Sequence, residues 1–444
     1  METIVVYSPY SSARLTYVLG WLMKERLQLE YKIVHSIEQA AAHRNVLYYG
    51  VVVTDGFCIP DAGLLQQTGL QASTPETGSR GNIPVLYPND DKGYTLPFDI
   101  LSAVFYLLSR YEEYQPFVPD KHGRYPATES ILFKNGWLQR PIVDEWVYAL
   151  RKELISRLGI AVPELQFVYK PTYDIDMAYS HLHKGVGRIA GAYLRALLTA
   201  DLKQINLRTQ VLKKKQKDPY DSFRWLRQLH KEYGFMPTYF ILAARRTTKF
   251  DKNIHPEHPA MVRVIKNLVK EGRIGIHPSY YSTEEGVLQA EHALLEKVAE
   301  TGTTISRQHY IKAVQPHTYR QLLRQNITED YSMGYGTHLG FRAGTGSSFL
   351  WYDVAQEQAT ALRVYPFCFM DTTAHYEAKL TTQQSFERLE RMCKQLEEAG
   401  GMLITVFHNF SLGTDEEWKG WRQAYELFLH ARAKRMVYEQ GVIR

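Results

Sequence analysis

From residue 162 onward, short apolar segments rich in aromatic and β-branched residues alternate with stretches of helical spacing. The apolar segments fall at 165–169, 236–242, 273–277, 304–310, 327–331, 363–371 and 402–408. Helical patterns fill the intervals at 221–233, 259–270, 284–300, 316–325 and 382–400, and a last one closes the chain. Strands separated by helices pair in parallel, because a parallel partner can be reached only by a crossover. About seven such units predict a parallel α/β barrel over residues 161–444, and an open doubly wound sheet is the alternative.

The residues at the carboxyl ends of these segments are not core residues. In order they are Asp174 and Asp176, His277, Arg307 and His309, Asp330, Asp371 and His408. In a parallel barrel all strand ends open on one rim, so these side chains are expected to line one concave site. Asp174 and Asp176 are separated by one residue, which in extended backbone places both carboxylates on one face. Taken alone, an Asp-x-Asp after a strand reads as a turn, and a lone histidine as a structural hydrogen-bonding residue. A carboxylate, imidazole or guanidinium at nearly every strand end is hard to explain by packing. Histidine with aspartate is also a zinc-type donor set.

Residues 1–160 read differently. Strands are expected at 3–7, 46–53 and 83–87, and helices at 11–30, 97–114 and 141–158, a smaller mixed α/β domain. It assembles no reactive group with a partner, so its role is left open. At 444 residues two domains are the natural expectation, and 45% hydrophobic with 23% charged residues gives ample core.

Composition removes several function classes. The net charge of +6 is modest for this length, and Lys213-Lys214-Lys215-Gln216-Lys217 reads as a solvated helix end. No nucleic-acid-binding signature accompanies it, so no nucleic-acid partner is expected. Cys58, Cys368 and Cys393 are far apart and form no Cys-x-x-Cys, which indicates neither a disulfide framework nor a thiolate zinc site. No apolar run reaches the roughly 20 residues of a membrane span. No signal-peptide pattern opens the sequence, and a cytoplasmic protein without a membrane partner is expected. The stretch Gly334-Tyr335-Gly336-Thr337-His338-Leu339-Gly340 lacks nucleotide-binding spacing. It reads as a flexible loop over the barrel mouth that carries Arg342 toward a ligand.

Four motifs, in order, resemble those of the polysaccharide deacetylase superfamily (the NodB homology domain, carbohydrate esterase family four). Thr172-Tyr173-Asp174-Ile175-Asp176 resembles its Thr-Phe-Asp-Asp motif with one residue inserted. His277-Pro278-Ser279-Tyr280-Tyr281 resembles His-Ser/Thr-x-x-His, with Tyr281 where the second histidine stands. Arg307-Gln308-His309-Tyr310 resembles Arg-x-Pro-Tyr, and Val406-Phe407-His408 resembles Leu-x-His.

The resemblance covers roughly residues 165–444 and implies a distorted (β/α)7 barrel of that type. It implies Asp174 as catalytic base, Asp176 and His277 as metal ligands, and His408 as general acid. Arg307 would orient Asp174, and Asp330 or Asp371 would tune His408. Asp330, Asp371, Tyr310 and Arg342 are also the expected substrate-binding residues. One imidazole is missing from the second motif and one is added to the third, so His309 is expected to complete the site with Asp176 and His277. The implied activity is metal-dependent, with zinc the expected ion. It removes an N-acetyl or related acyl group from a carbohydrate or amino-sugar-like substrate. A catalytically degenerate barrel acting as a carbohydrate-binding or scaffolding module is the alternative, and a glycosidase using the paired carboxylates is another.

Overall fold

The computed structural model describes residues 3–439. Four parallel strands form the first sheet: β1 (Thr3–Tyr7), β2 (Glu30–Val34), β3 (Val46–Tyr49) and β4 (Phe57–Ile59), in the order β2-β1-β3-β4. Every residue of β3 and β4 is buried, as expected of parallel strands covered on both faces. β5 (Thr77–Arg80) and β6 (Ile83–Leu86) make a separate antiparallel hairpin. Ser12 caps the helix Ala13–Leu19 by accepting from the Leu15 amide, and a π-helical segment, Gly20–Arg26, continues it. The single helix expected over 11–30 is therefore shorter, and β2 follows it. β2 is a half-exposed edge strand carrying Glu30 and Lys32, so its apolar signal is weak.

The second sheet holds nine strands: β7 (Val168–Ile175), β8 (Thr238–Leu242), β9 (Arg273–His277), β10 (Ile305–Ser306), β11 (Glu329–Asp330), β12 (Phe349–Asp353), β13 (Gln358–Val364), β14 (Phe369–Met370) and β15 (Met402–His408). Their order is β12-β13-β11-β10-β9-β8-β7-β15-β14, all parallel except β12, which runs antiparallel to β13. Five helices, Phe223–Tyr233, Pro259–Glu271, Val287–Ala299, His317–Arg324 and Thr382–Ala399, serve as crossovers. Most bury one apolar stripe, as Met261, Val264, Ile265 and Leu268 do for the second.

The sheet curls strongly. β11 and β14 are six strand spacings apart, roughly 28 Å in a flat sheet. Yet Tyr331, just after β11, and Met370 of β14 share one small buried cluster with Phe240, Ile305, Ile404 and Val406. A backbone hydrogen bond from Phe367 N to Met333 O, at 3.1 Å, bridges the remaining gap. The ladder itself does not close, and its edges are β12 and β14. What stands in place of the expected barrel is a curled, open, mixed α/β sheet.

The N-terminal region packs directly on this sheet, and one hydrophobic cluster runs through both. Tyr17 donates to the Leu350 carbonyl at 2.7 Å, and Trp21 to that of Ser348 at 2.9 Å. Buried Asp144 accepts from the Thr345 hydroxyl, the Gly346 amide and the Ser347 hydroxyl, and pairs with Arg26.

This contact corrects the reading of the glycine-rich loop. Arg342 is buried and forms a two-pronged pair with Glu113, at 2.8 and 2.7 Å, in place of reaching a ligand. The glycines there serve close approach, not flexibility. Gly340 has φ +139, and a Cβ would lie 2.3 Å from the Leu138 carbonyl oxygen.

Candidate active site

β7 runs further than expected and carries Asp174 within it, paired to His408 of β15 and Phe240 of β8. Asp176 follows one residue past the strand end, on the side of Asp174. Arg307 leaves the end of β10 fully buried. Its Nη1 donates to Asp174 Oδ1 at 2.8 Å and its Nε to the Tyr331 carbonyl at 3.0 Å. The guanidinium also lies 4.3 Å from the Phe240 ring centroid, a desolvated cation–π contact. One oxygen of Asp174 is thereby fixed by a permanent cation.

Three imidazoles converge on Asp176. His277 Nε2 lies 3.2 Å from its Oδ1, and His309 Nε2 and His408 Nε2 each lie 3.4 Å from its Oδ2. In each ring the other nitrogen is held from behind. His277 Nδ1 donates to the Arg307 carbonyl at 2.5 Å, His309 Nδ1 to Asp251 at 3.0 Å, and His408 Nδ1 to Asp371 at 2.7 Å. Pinning Nδ1 directs every Nε2 toward the same space, the arrangement that orients metal-ligating histidines.

Asp176, His277 and His309 offer ligand atoms all within 4.8 Å of one another. Asp176 Oδ1 is also a buried oxygen without a hydrogen-bond partner. A carboxylate oxygen left in that state inside a ring of imidazoles fits a site for a divalent cation.

The electrostatics of these groups follow from the same contacts. Burial opposes ionisation of Asp176, but His309 and His277 outweigh it and hold the carboxyl well below its usual range. Burial likewise opposes a charge on His309, and Asp176 and Asp251 override it, raising the imidazole to about 9. For His408, burial again opposes the charge, while Asp371 and Asp176 raise the group well above its ordinary value. Asp371 is itself fixed by the His408 amide at 2.7 Å and by the Ser411 hydroxyl.

These groups line a cavity of about 520 Å³ bordered by Asp174, Asp176, His277, His309, Tyr310 and His408. Arg307 stands behind its wall. Two expectations change here. Of the candidates for tuning His408, Asp371 does so, and it is fully buried behind the histidine, where no substrate can touch it. Asp330 is also buried, its oxygens taken by the Ser306 hydroxyl at 2.7 Å and the Ser332 amide at 2.9 Å, so it does not line the cavity. Tyr281 lines a neighbouring cavity of about 690 Å³ instead.

Several residues escaped the sequence reading. Asp251, which holds His309, lies nine residues beyond the end of β8, too far for a rule based on strand ends. Lys121, His122 and Arg124 come from the N-terminal region, yet they line the cavity. His122 Nδ1 lies 3.1 Å from the Tyr280 hydroxyl, and Arg124 Nη1 donates to the Tyr310 carbonyl. Nothing local in the sequence marks these three, because their placement depends on how the two parts of the chain pack.

Residues 4–158 match the model of a family of unknown function, DUF7033. No curated protein matches the sequence significantly. Among solved structures, a Mycobacterium smegmatis protein described as a polysaccharide deacetylase overlays at TM-score 0.39 and 15% identity, over 62% of this chain and 86% of that one. Puue allantoinase overlays at TM-score 0.39 and 12% identity, over 60% and 84% of the two chains. The polysaccharide deacetylase Bc1974 from Bacillus cereus gives 0.30 and 9%, over 60% and 88%. Overlays this loose decide nothing about chemistry, which has to be read from the side chains of the rim.

Proposed function

We propose that the chain is a metal-dependent amide hydrolase that removes an acetyl or related acyl group from an amino-sugar-like substrate. One observation carries this reading. Three residues with the spacing of a cation site, Asp176, His277 and His309, stand between an arginine-fixed carboxylate and an aspartate-fixed histidine, all bordering or backing one cavity. The motif resemblance to polysaccharide deacetylases supports it, and the curled parallel sheet suits an incompletely closed barrel of that type.

Asp176, His277 and His309 would hold the metal, with zinc the ion best matched to one carboxylate and two imidazoles. Such an ion supplies Lewis acidity to an acyl oxygen and to an attacking water. The chain does the rest. Arg307 occupies Asp174 Oδ1, which leaves Oδ2 to take the proton of the water that attacks the acyl carbon. His408 carries its proton on Nε2, held in that state by Asp371, and delivers it to the nitrogen as the carbon–nitrogen bond breaks. The products are a carboxylic acid and a free amine. A glycosidase working with Asp174 and Asp176 would leave the three convergent Nε2 atoms without a task. The three cysteines are free and buried, which suits a reducing, cytoplasmic setting.

The test is acid release from a set of N-acylated amino sugars, by zinc-loaded protein beside the Asp174→Asn variant. Turnover by wild type, lost in the variant, is expected. Zinc-loaded wild type no more active than the variant on every substrate would favour a carbohydrate-binding module.

A further inference from the structure

Between the end of β7 and the helix Phe223–Tyr233 the chain makes a helical hairpin, Val186–Leu198 and Leu202–Leu212. Helices normally turn their apolar stripe inward, and this hairpin does not. Val186, Leu194, Leu197, Leu198 and Leu202 are between 59% and 86% exposed, and on the first helix Ala196 alone is buried. Residues 186, 190, 194 and 198 follow i, i+4 spacing, so the exposed side chains form one continuous strip. Scattered exposed leucines need no explanation, but a contiguous strip marks a binding face.

Charge identifies what the strip would meet. Residues 184–217 hold nine lysines and arginines and one acid, Asp201. Lys213, Lys214 and Lys215 are exposed at the end of the second helix. A second copy of the chain would bring the same positive charge to the contact, and the two would repel. Arg195 and Lys203 are exposed next to Leu194 and Leu202, and leucines interleaved with basic residues match a surface that is anionic outside and apolar beneath.

The hairpin is also firmly mounted. The Asp218 carboxylate, at its exit, accepts from the amides of Ser180, His181 and Leu182 at its entry. Asn409, next to His408, donates to the carbonyls of Met177 and Tyr220, one on each side of the hairpin. The appendage is thus fastened to the rim that bears the candidate active site.

We infer that this hairpin docks the protein on the surface of an anionic lipid bilayer. No helix of the described residues is long and apolar enough to cross a membrane. A helix that lies in the interface needs no such length, so the lack of a spanning run does not bear on this inference. The inference is independent of the proposed chemistry.

The test is flotation of the full chain with vesicles of phosphatidylcholine, with and without one quarter phosphatidylglycerol, at 0.1 M salt. Binding only to the anionic vesicles is expected, falling ~5-fold for each of Lys213→Gln, Lys214→Gln and Lys215→Gln. The triple variant Leu194→Ser/Leu197→Ser/Leu198→Ser should lose binding while its charges and circular dichroism stay unchanged. These side chains are exposed, so their replacement does not threaten folding. No binding to anionic vesicles, or binding indifferent to the triple variant, would overturn the inference. So would a self-associated protein that the triple variant converts to monomer, since another copy would then cover the strip.

Discussion

Replacing Arg307 by methionine removes the guanidinium that holds Asp174 Oδ1, 2.8 Å away, and touches none of the three cation-site residues. The expected outcome is a large loss of turnover with zinc affinity nearly intact, read by kinetics and calorimetry on one preparation. Equal losses in both would make the arginine part of the metal site's architecture. His408→Ala should keep the metal and slow hydrolysis on the order of 10²- to 10⁴-fold, the usual contribution of a positioned acid. His309→Ala leaves two of three ligands and should lose most of the metal, whereas Tyr281→Phe should keep it, since Tyr281 borders the neighbouring cavity. Asp251 also accepts from the Tyr280 amide and the Thr248 hydroxyl. Asp251→Asn weakens the support behind His309 Nδ1, and a roughly 10- to 100-fold fall in metal affinity is expected. At this scale the sequence was informative where a candidate site residue sits at a strand end. Asp174, Asp176, His277 and His408 were legible because a parallel strand delivers its last residues to one rim. Asp251 and His122 were not, because long loops and the packing of the N-terminal region set their positions. Asp330 shows the opposite failure, a strand-end carboxylate whose oxygens are taken by Ser306 and Ser332.

Among the elements, the alternation of strands and helices was legible because an apolar strand and an amphipathic helix differ in period. Edges were not. β2 is a half-exposed edge strand, and β10 and β11 are two residues each, followed by irregular backbone that still delivers Arg307 and Tyr331. The loop joining β11 to β12 was misread because glycine signals both freedom and crowding. In this loop it is crowding, and Gly340→Ala should destabilise the fold by roughly 1–3 kcal/mol in denaturant melts, with backbone strain and overpacking acting together. The pair beneath this loop has its own pH signature. Burial would raise the Glu113 carboxyl, but Arg342 and Arg110 overcome it and hold it at about 2, against 4.5 unperturbed. The stabilisation is therefore fully present above about pH 4.5 and is lost as pH falls toward 2. Glu113→Gln should cost about 3–5 kcal/mol at pH 7, because the buried Arg342 guanidinium loses its carboxylate and Arg110 keeps only Glu112, and should flatten that acid limb. A variant as stable as wild type at neutral pH would assign the pair no role in holding the loop.

For the whole molecule, the N-terminal region is joined to the sheet by buried ion pairs, shared core and the residues it lends to the cavity. Arg14 reaches Glu357, Glu113 reaches Arg342, Arg26 reaches the Gly400 carbonyl, and Lys121 with His122 borders the site. The proposed chemistry requires a cation among Asp176, His277 and His309, and titration of zinc into the chelator-stripped chain tests this most directly. Uptake of one equivalent by wild type, abolished in Asp176→Ala and kept in Asp174→Asn, is the predicted result. Wild type that takes up no zinc, or Asp176→Ala that binds it as tightly as wild type, would contradict the account.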